Sequence, residues 1–207
     1  MTVSQERINE FIEAGYLAGK HDLFRYSSGN LSCRLDDNKV LLSASGSWLG
    51  RLKPEEVVIC ELETGSYNGE KKPTMESRFH LGILRARRDI NVVLHFQSLC
   101  ATAIACGDPE DVDFNVISEI PAYVGSWAIV EYDQPGSAEL AEAVKAAAGE
   151  NDMVILKNHG LVTVGTDYYD AIRKAGFFEL ACEILLKNKD ARILPQSAVN
   201  LLKRMEV

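Results

Sequence analysis

Apolar residues along this chain recur with two different periods, and these periods predict its helices and its strands. At the start, Ile8, Phe11, Ile12 and Tyr16 fall on one face of a helix that the Ser4 side chain can cap. The same helical spacing of apolar residues returns four more times further along the chain. Those helices are predicted over residues 76–87, 98–106 and 140–148 and from residue 167 onward.

Runs of aliphatic and β-branched residues, closed by glycine, proline or small polar residues, predict the strands. They follow the turn at residues 27–30 and cover residues 39–45, 57–62, 91–96, 153–156 and 161–164. The segment 114–132 is also strand-like at its start and at its end. Turns rather than regular crossover helices join the strands, and no GxGxxG or Walker-type loop is present. We therefore predict an α/β (α+β-like) protein, a single domain over residues 1–207 with a central, mostly antiparallel β-sheet flanked by helices.

The composition narrows the class of protein. With 46% hydrophobic and 25% charged residues, the chain is typical of a soluble globular protein. Its formal net charge is −8 and no run of lysine or arginine exceeds a pair, which argues against a nucleic-acid or acidic-membrane partner. No apolar stretch approaches the length of a membrane span. Five cysteines without any CxxC spacing suit a reducing compartment, so we expect a cytoplasmic protein.

Chemically active side chains concentrate in residues 72–98. Glu76 lies at the N-terminal end of a predicted helix, and His95 and Gln97 are two residues apart on a predicted strand, so they project from the same face. A carboxylate, an imidazole and an amide oxygen in one cleft could form a metal site with a neighbouring base. A histidine at the end of an apolar strand is also commonly structural, so this stretch alone leaves both interpretations open.

Three turns at strand ends carry small polar residues that suit a phosphate group. Glycine lets backbone amides approach a ligand, and hydroxyl and amide side chains offer further hydrogen bonds. One of the turns directly precedes a predicted helix, whose first amides favour an anion. The candidate phosphate-binding residues are Ser27, Gly29, Asn30, Ser45, Gly46 and Thr74.

Five motifs, in this order and spacing, resemble the class II aldolase/adducin family. They are Ser-Gly-Asn-Leu-Ser at 28–32, Ser-Gly at 45–46, Lys-Pro-Thr-Met-Glu followed after three intervening residues by a histidine at 72–80, Val-Leu-His-Phe-Gln-Ser at 93–98 and Asn-His-Gly-Leu-Val at 158–162. No single motif is specific, but the set is, and the similarity runs from the first predicted helix to the last. The resemblance implies a class II aldolase-like fold.

The resemblance also implies roles for individual residues. In the family a divalent metal, usually zinc, is bound by two histidines of a His-x-His strand and a third from the turn before a glycine. His95 and His159 match two of these ligands, and Glu76 matches the acid/base carboxylate, which can also coordinate the metal when no substrate is bound. We interpret His80, one helical turn after Glu76 and on the same side, either as a structural residue or as one that supports the ligands from behind. The family's phosphate-binding positions fall on Ser27, Asn30, Ser45, Gly46 and Thr74.

The chain departs from the family pattern at several positions. Gln97 stands where the family has its second histidine, and we assign it as a ligand. Because an amide oxygen is a harder and weaker donor than imidazole, the change could weaken the binding of zinc or favour Mn²⁺ or Mg²⁺. Glu119 is a candidate replacement ligand, and Met75 removes a hydroxyl from the phosphate loop. The C-terminal tail lacks a tyrosine, and Tyr123, contributed by a neighbouring subunit, is the candidate catalytic acid.

The implied function is a metal-dependent aldolase that cleaves a ketose 1-phosphate of the L-fuculose-1-phosphate type. The expected products are dihydroxyacetone phosphate and a small aldehyde. A sugar-phosphate epimerase or dehydratase of the same family is a first alternative. A non-catalytic, adducin-like assembly module is a second, to which Gln97 gives weight. By resemblance, the assembly is expected to be a cyclic homotetramer with its sites between subunits.

Overall fold

A computed structural model describes residues 3–205 of the chain. It contains six α-helices and seven β-strands. The helices are α1 (Gln5–Lys20), α2 (Ser77–Ala86), α3 (Leu99–Ala105), α4 (Ala138–Ala147), α5 (Tyr168–Lys187) and α6 (Gln196–Leu202). The strands are β1 (Asn30–Arg34), β2 (Lys39–Ser43), β3 (Val57–Glu61), β4 (Val92–Phe96), β5 (Trp127–Val130), β6 (Met153–Leu156) and β7 (Gly160–Gly165).

All seven strands form one sheet in the order β3-β2-β1-β4-β7-β6-β5. Five of the six neighbouring pairs are antiparallel, and only β5 and β6 run parallel. Hairpin turns can join antiparallel neighbours directly, whereas the parallel pair needs a crossover, which α4 supplies. The predicted mostly antiparallel sheet flanked by helices is confirmed. No helix within residues 3–205 is long and apolar enough to cross a membrane.

Helices cover both faces of the sheet, and the sheet divides the hydrophobic core into two clusters. One cluster packs the sheet against α1, α3 and α5 and contains Phe11, Phe114 and Phe178. The other packs the opposite face against α2 and α4 and contains Phe79 and Val144. Such burial of apolar side chains on both faces accounts for the continuous aliphatic runs in the central strands.

The alternation of side chains along β4 decides which way its histidine faces. Val92, Leu94 and Phe96 belong to the cluster under α1, α3 and α5, whereas Val93 belongs to the cluster under α2 and α4. His95 lies two residues after Val93, so its side chain projects from the same face of the strand, towards α2. Its ring meets the ring of Phe79 on α2 edge to face, with the centroids 6.1 Å apart.

The antiparallel pairing also fixes which strand ends meet. Because β1 and β7 both run antiparallel to β4, the starts of β1 and β7 lie beside the end of β4. Asn30 is the register partner of His95, and Gly160 opens β7 immediately after His159. One edge of the sheet therefore collects residues from three separate parts of the sequence.

Two segments differ from the sequence prediction. Residues 114–119 are not a strand, and a single π-helical turn at Ile120–Val124 follows them, so only β5 is extended. An apolar residue is needed at position 114 because the ring of Phe114 fills the core between Trp127 and Phe178, with centroid distances of 5.2 and 4.6 Å. Phe114 does not lie in the sheet. The C-terminal region beyond α5, for which no separate element is predicted, forms α6.

Candidate active site

Three side chains from different parts of the sequence converge at the edge where β1, β4 and β7 meet. Glu76 Oε2 lies 3.5 Å from His95 Nε2, and Glu76 Oε1 lies 3.3 Å from His159 Nε2. One ligand atom from each residue falls within 4.8 Å of the other two. Among the described residues 3–205, this is the one group of three histidine, cysteine or acidic residues close enough to share a metal ion.

Local backbone geometry brings each of the three residues to this point. Glu76 is the N-cap of α2, His95 is on β4, and His159 lies in the tight turn between β6 and β7. The turn requires a left-handed residue, Asn158, with φ 54°, and a residue without a side chain after His159. A Cβ on Gly160 would lie 2.8 Å from the Phe96 carbonyl oxygen and 3.1 Å from His95 Cε1, so only glycine fits there.

Hydrogen bonding fixes the tautomer of His95. Its Nδ1–H donates to the Leu161 carbonyl oxygen at 2.9 Å, so the lone pair of Nε2 faces the carboxylate of Glu76. A backbone carbonyl that fixes the non-ligating nitrogen is the usual support of a metal-binding histidine. The ring of His159 stands 4.9 Å away, edge to face with the ring of His95.

Two buried polar atoms in the cluster have no hydrogen-bond partner. They are Glu76 Oε1 and His159 Nδ1. A buried polar atom left without a partner costs roughly 1–3 kcal/mol. A carboxylate oxygen and imidazole nitrogens are typical ligands of divalent metals, and a cation in contact with Glu76 Oε1 would remove its deficit. The residues present therefore fit a divalent cation.

The cluster has the protonation states that a metal site needs. Burial lowers the pKa of His159 to about 4, with a further decrease from His95 that Glu76 opposes. Burial alone raises the pKa of Glu76, but His95, the Asn30 amide and the other histidines together hold it below its usual value. At neutral pH the carboxylate is therefore ionised and His159 is neutral, which are the forms that bind metals.

A chain of buried polar residues lies behind Glu76. Asn30 Nδ2 donates to Glu76 Oε2 at 2.8 Å, and Asn30 Oδ1 accepts from His80 Nε2 at 2.5 Å. His80 Nδ1 in turn lies 2.7 Å from Ser32 Oγ. Burial lowers the pKa of His80 to about 3, partly opposed by Glu76, so this imidazole is neutral. The sequence motifs predict only a phosphate-binding role for Asn30, and no local pattern indicates its contact with Glu76.

The cluster lies in a cleft with a volume of about 390 Å³. All six candidate phosphate-binding residues line this cleft together with the three ligands. Thr74 Oγ1 accepts a hydrogen bond from the Glu76 amide, which ties one phosphate turn to the start of α2. The described residues that line the cleft include no lysine, arginine or tyrosine. Any anion held here by this chain would therefore be bound by amides and hydroxyls.

Comparison with known proteins identifies the family. The family model for the Class II Aldolase and Adducin N-terminal domain matches residues 9–186. The chain belongs to the class II aldolase/adducin family. This confirms the resemblance found in the sequence motifs, and the family's metal dependence makes the Glu76–His95–His159 cluster a candidate metal site.

Three relatives illustrate the range within the class II aldolase/adducin family. The chain is 36% identical to a 3-oxo-tetronate 4-phosphate decarboxylase of Haemophilus influenzae, over 78% of this chain and 74% of the relative. It is 35% identical to an L-fuculose phosphate aldolase of Methanocaldococcus jannaschii, over 78% of this chain and 86% of the relative. A solved structure of an L-fuculose 1-phosphate aldolase has a TM-score of 0.84 over 97% of this chain and 96% of that one, at 24% identity, which concerns the fold alone.

The residues that depart from the family pattern are found in different places. Gln97 follows β4 directly, is half-buried and lines the cleft beside His95. Met75 also lines the cleft and is 68% exposed. Glu119 is not part of the metal-ligand cluster, and its carboxylate accepts a hydrogen bond from Ser118 Oγ. The suggestion that Glu119 replaces a ligand is therefore not supported within this chain.

Tyr123 lies away from the ligands of its own chain. It belongs to the π-helical turn, where its ring stacks on Phe177 at a centroid distance of 5.3 Å. The Arg173 guanidinium lies over the same ring, 4.4 Å from its centroid. The proposed catalytic role of Tyr123 requires a neighbouring subunit and stays a prediction.

We expect the stability of the metal-free protein to fall between pH 7 and pH 5. His80 and His159 have folded-state pKa values of about 3 and about 4, below the unfolded-state value of about 6.5. As the pH falls through this window the unfolded chain gains protons that the folded chain does not, at roughly 1 kcal/mol per pH unit for each histidine. Urea unfolding of chelator-treated protein at pH 7.0, 6.0 and 5.0 measures the slope. His80→Gln should flatten it, and equal stability at all three values would contradict the assignment.

We also expect Gln97→His to bind zinc at least roughly tenfold more tightly than the native protein, because imidazole is the better zinc ligand. The gain should be smaller for Mn²⁺, which prefers oxygen donors. Titration calorimetry of chelator-treated native protein and the variant measures both metals, with His95→Ala as the control that should lose binding. A native protein that binds neither metal would show that the site has decayed, and the non-catalytic alternative would then lead.

Proposed function

We propose that the protein is a metal-dependent lyase that cleaves a carbon–carbon bond in a sugar phosphate. The observation that carries this proposal is the convergence of an ionised carboxylate, two imidazoles and three small-polar turns in one cleft. A scaffold has no physical need for a buried ionised carboxylate whose second oxygen has no partner. This argues against the non-catalytic, adducin-like module.

The chain would hold its metal through His95, His159 and Glu76, with Gln97 beside them. When bound, the cation supplies Lewis-acid stabilisation of the negative charge that develops on the substrate oxygens as the bond breaks. We retain zinc as the first choice and Mn²⁺ or Mg²⁺ as alternatives because Gln97 is a hard, neutral donor.

Glu76 would act as the acid and base. Asn30 donates to Oε2 and keeps that oxygen an acceptor, whereas Oε1 has no hydrogen bond. When substrate rather than Glu76 occupies the metal, Oε1 would be free to carry a proton. Loss of a carbon substituent next to a carbonyl leaves an enediolate, whose carbon must then be protonated. A carboxyl group fixed at the N-terminus of α2, in the same cleft as the phosphate turns, is placed for this transfer.

The phosphate would be bound by the turns that carry Ser27, Gly29 and Asn30, Ser45 and Gly46, and Thr74. Gly29 and Gly46 have φ values of 84° and 74°, so the turns that contain them depend on glycine. Binding at this distal group fixes the position of the reacting carbons relative to Glu76.

Within this class we propose an aldolase of the L-fuculose-1-phosphate type, producing dihydroxyacetone phosphate and a small aldehyde. The aldolase relative supports it by sequence. Retro-aldol cleavage also needs a group that removes the proton from the hydroxyl that becomes the aldehyde. Tyr123 of a neighbouring subunit in a homotetramer is our candidate for this group.

We also propose the cytoplasm as the compartment of the protein, because none of the five cysteines is disulfide-bonded.

Decarboxylation of a 3-oxo acid phosphate is the second candidate. The decarboxylase relative supports it, and so does the absence of any tyrosine, lysine or arginine among the described residues that line the cleft. Carbon dioxide leaves without any proton transfer to the departing group, so one carboxyl group that takes a proton from solvent and passes it to the remaining carbon is sufficient. An epimerase or dehydratase would need further acids around the substrate, and Glu76 is the one acidic residue among the described residues that line this cleft.

We expect Glu76→Gln to lower kcat by at least roughly 100-fold, because it removes the proton carrier and keeps an oxygen that can accept from Asn30. The exposed Glu55→Gln is the matched control and should retain native activity. Metal content measured on the same samples separates lost acid–base chemistry from lost metal. Native turnover by Glu76→Gln would eliminate the mechanism.

The reaction itself is tested with two substrates on the metal-reconstituted protein. L-Fuculose-1-phosphate is assayed for dihydroxyacetone phosphate, and 3-oxo-tetronate 4-phosphate is assayed for carbon dioxide. Cleavage of the first supports the aldolase, and cleavage of the second alone supports the decarboxylase. Activity on neither substrate, with metal bound, would contradict both candidates.

A further inference from the structure

A series of buried polar side chains supports Glu76 on the side away from the cleft, and two of them do not line the cleft. Asn30 contacts the carboxylate directly, but the side chains of His80 and Ser32 are both fully buried and do not line the cleft. Their hydrogen bonds go to each other and to Asn30. These two side chains nevertheless belong to the same unbroken series of hydrogen bonds that ends on Glu76 Oε2.

The direction of each hydrogen bond follows from the carboxylate. Because Glu76 Oε2 can only accept, the Asn30 group 2.8 Å from it must be the NH₂, which leaves Asn30 Oδ1 facing His80. His80 must therefore donate from Nε2, whatever the proton on Nδ1 does. In the neutral ring Nδ1 is then an acceptor, and the Ser32 hydroxyl donates to it.

We propose that His80 is a positioning residue for Glu76, acting through Asn30. Without the Nε2–H donor, Asn30 Oδ1 would be buried without a hydrogen bond. The amide group would then no longer be held in this orientation and could rotate. A rotated amide presents its oxygen to Glu76 Oε2, which repels the carboxylate from the position beside His95 and His159.

The proposal extends the proposed function, in which Glu76 carries a proton on Oε1. With Oε2 held by the Asn30 NH₂, the two carboxylate oxygens are unequal, and the free one faces His159. Asn30 also lines the cleft beside the phosphate turns. His80 therefore controls an amide that lies between the substrate-binding turns and the acid–base group.

A merely structural role for His80 is the competing explanation. Its ring is fully buried and stacks on Phe79 with the centroids 4.7 Å apart, so removing it costs packing as well as a hydrogen bond. Two substitutions separate these effects. His80→Gln places an amide N–H near the position of Nε2, whereas His80→Asn reaches only the position of Nδ1, beside Ser32. Both lose the ring.

The kinetic test compares these two variants in the reconstituted enzyme. We expect His80→Asn to lower kcat by roughly 10- to 100-fold with KM changed by less than about threefold, as for other residues that orient a ligand through hydrogen bonds. His80→Gln is expected to recover most of that loss. Equal loss in both variants would mean that the ring is needed only for packing and would overturn the proposal.

A second measurement does not depend on activity. In metal-free protein labelled with ¹⁵N, hydrogen exchange of the Asn30 side-chain NH₂ reports whether the amide is held against Glu76. We expect exchange to be at least roughly tenfold faster in His80→Asn than in the native protein and His80→Gln. Unchanged exchange in His80→Asn would overturn the positioning role, even if the native enzyme cleaved neither substrate.

Discussion

A carboxylate buried between two imidazoles is the interaction on which this site depends. Burial disfavours the charge on Glu76 and also disfavours protonation of His159. At neutral pH the carboxylate is ionised while His159 is neutral, so His159 supplies no positive charge to balance it. Among residues 3–205, the Asn30 amide supplies the one hydrogen bond to the carboxylate. Glu76 Oε1 is left without a hydrogen-bond partner, and a divalent cation in contact with it would correct this imbalance.

The strand pairing and the start of α2 fix the positions of the residues in this site. Antiparallel pairing of β1, β4 and β7 brings Asn30, His95 and His159 to one edge, and α2 begins at the same edge with Glu76. Each ligand lies at the end of a regular element rather than in a long loop, so its position is set by the sheet register and by core packing on both faces. The close approach of the β6–β7 turn to β4 leaves no room for a side chain at residue 160.

Much of the fold and the ligand set could be predicted from local patterns. The parity of His95 and Gln97 on an apolar strand and the five ordered motifs are features of the sequence itself. The contact between Asn30 and Glu76 joins residues 46 positions apart and depends on sheet register, so no local pattern reveals it. Phe114 misled the strand prediction because a core-filling ring and a strand residue look alike in sequence. The position of Tyr123 relative to any active site depends on an assembly that a single chain does not define.

The most direct test of the metal centre is a crystal structure of the protein grown with Mn²⁺, with anomalous differences measured to locate the ion. We predict a single strong peak about 2.0–2.3 Å from His95 Nε2, a nitrogen of His159 and an oxygen of Glu76. The Asn30 amide should stay on Glu76 Oε2 or move with it as a unit. No peak at this cluster, or a peak bound only by exposed acidic residues elsewhere, would contradict the assignment of these three residues as a metal site.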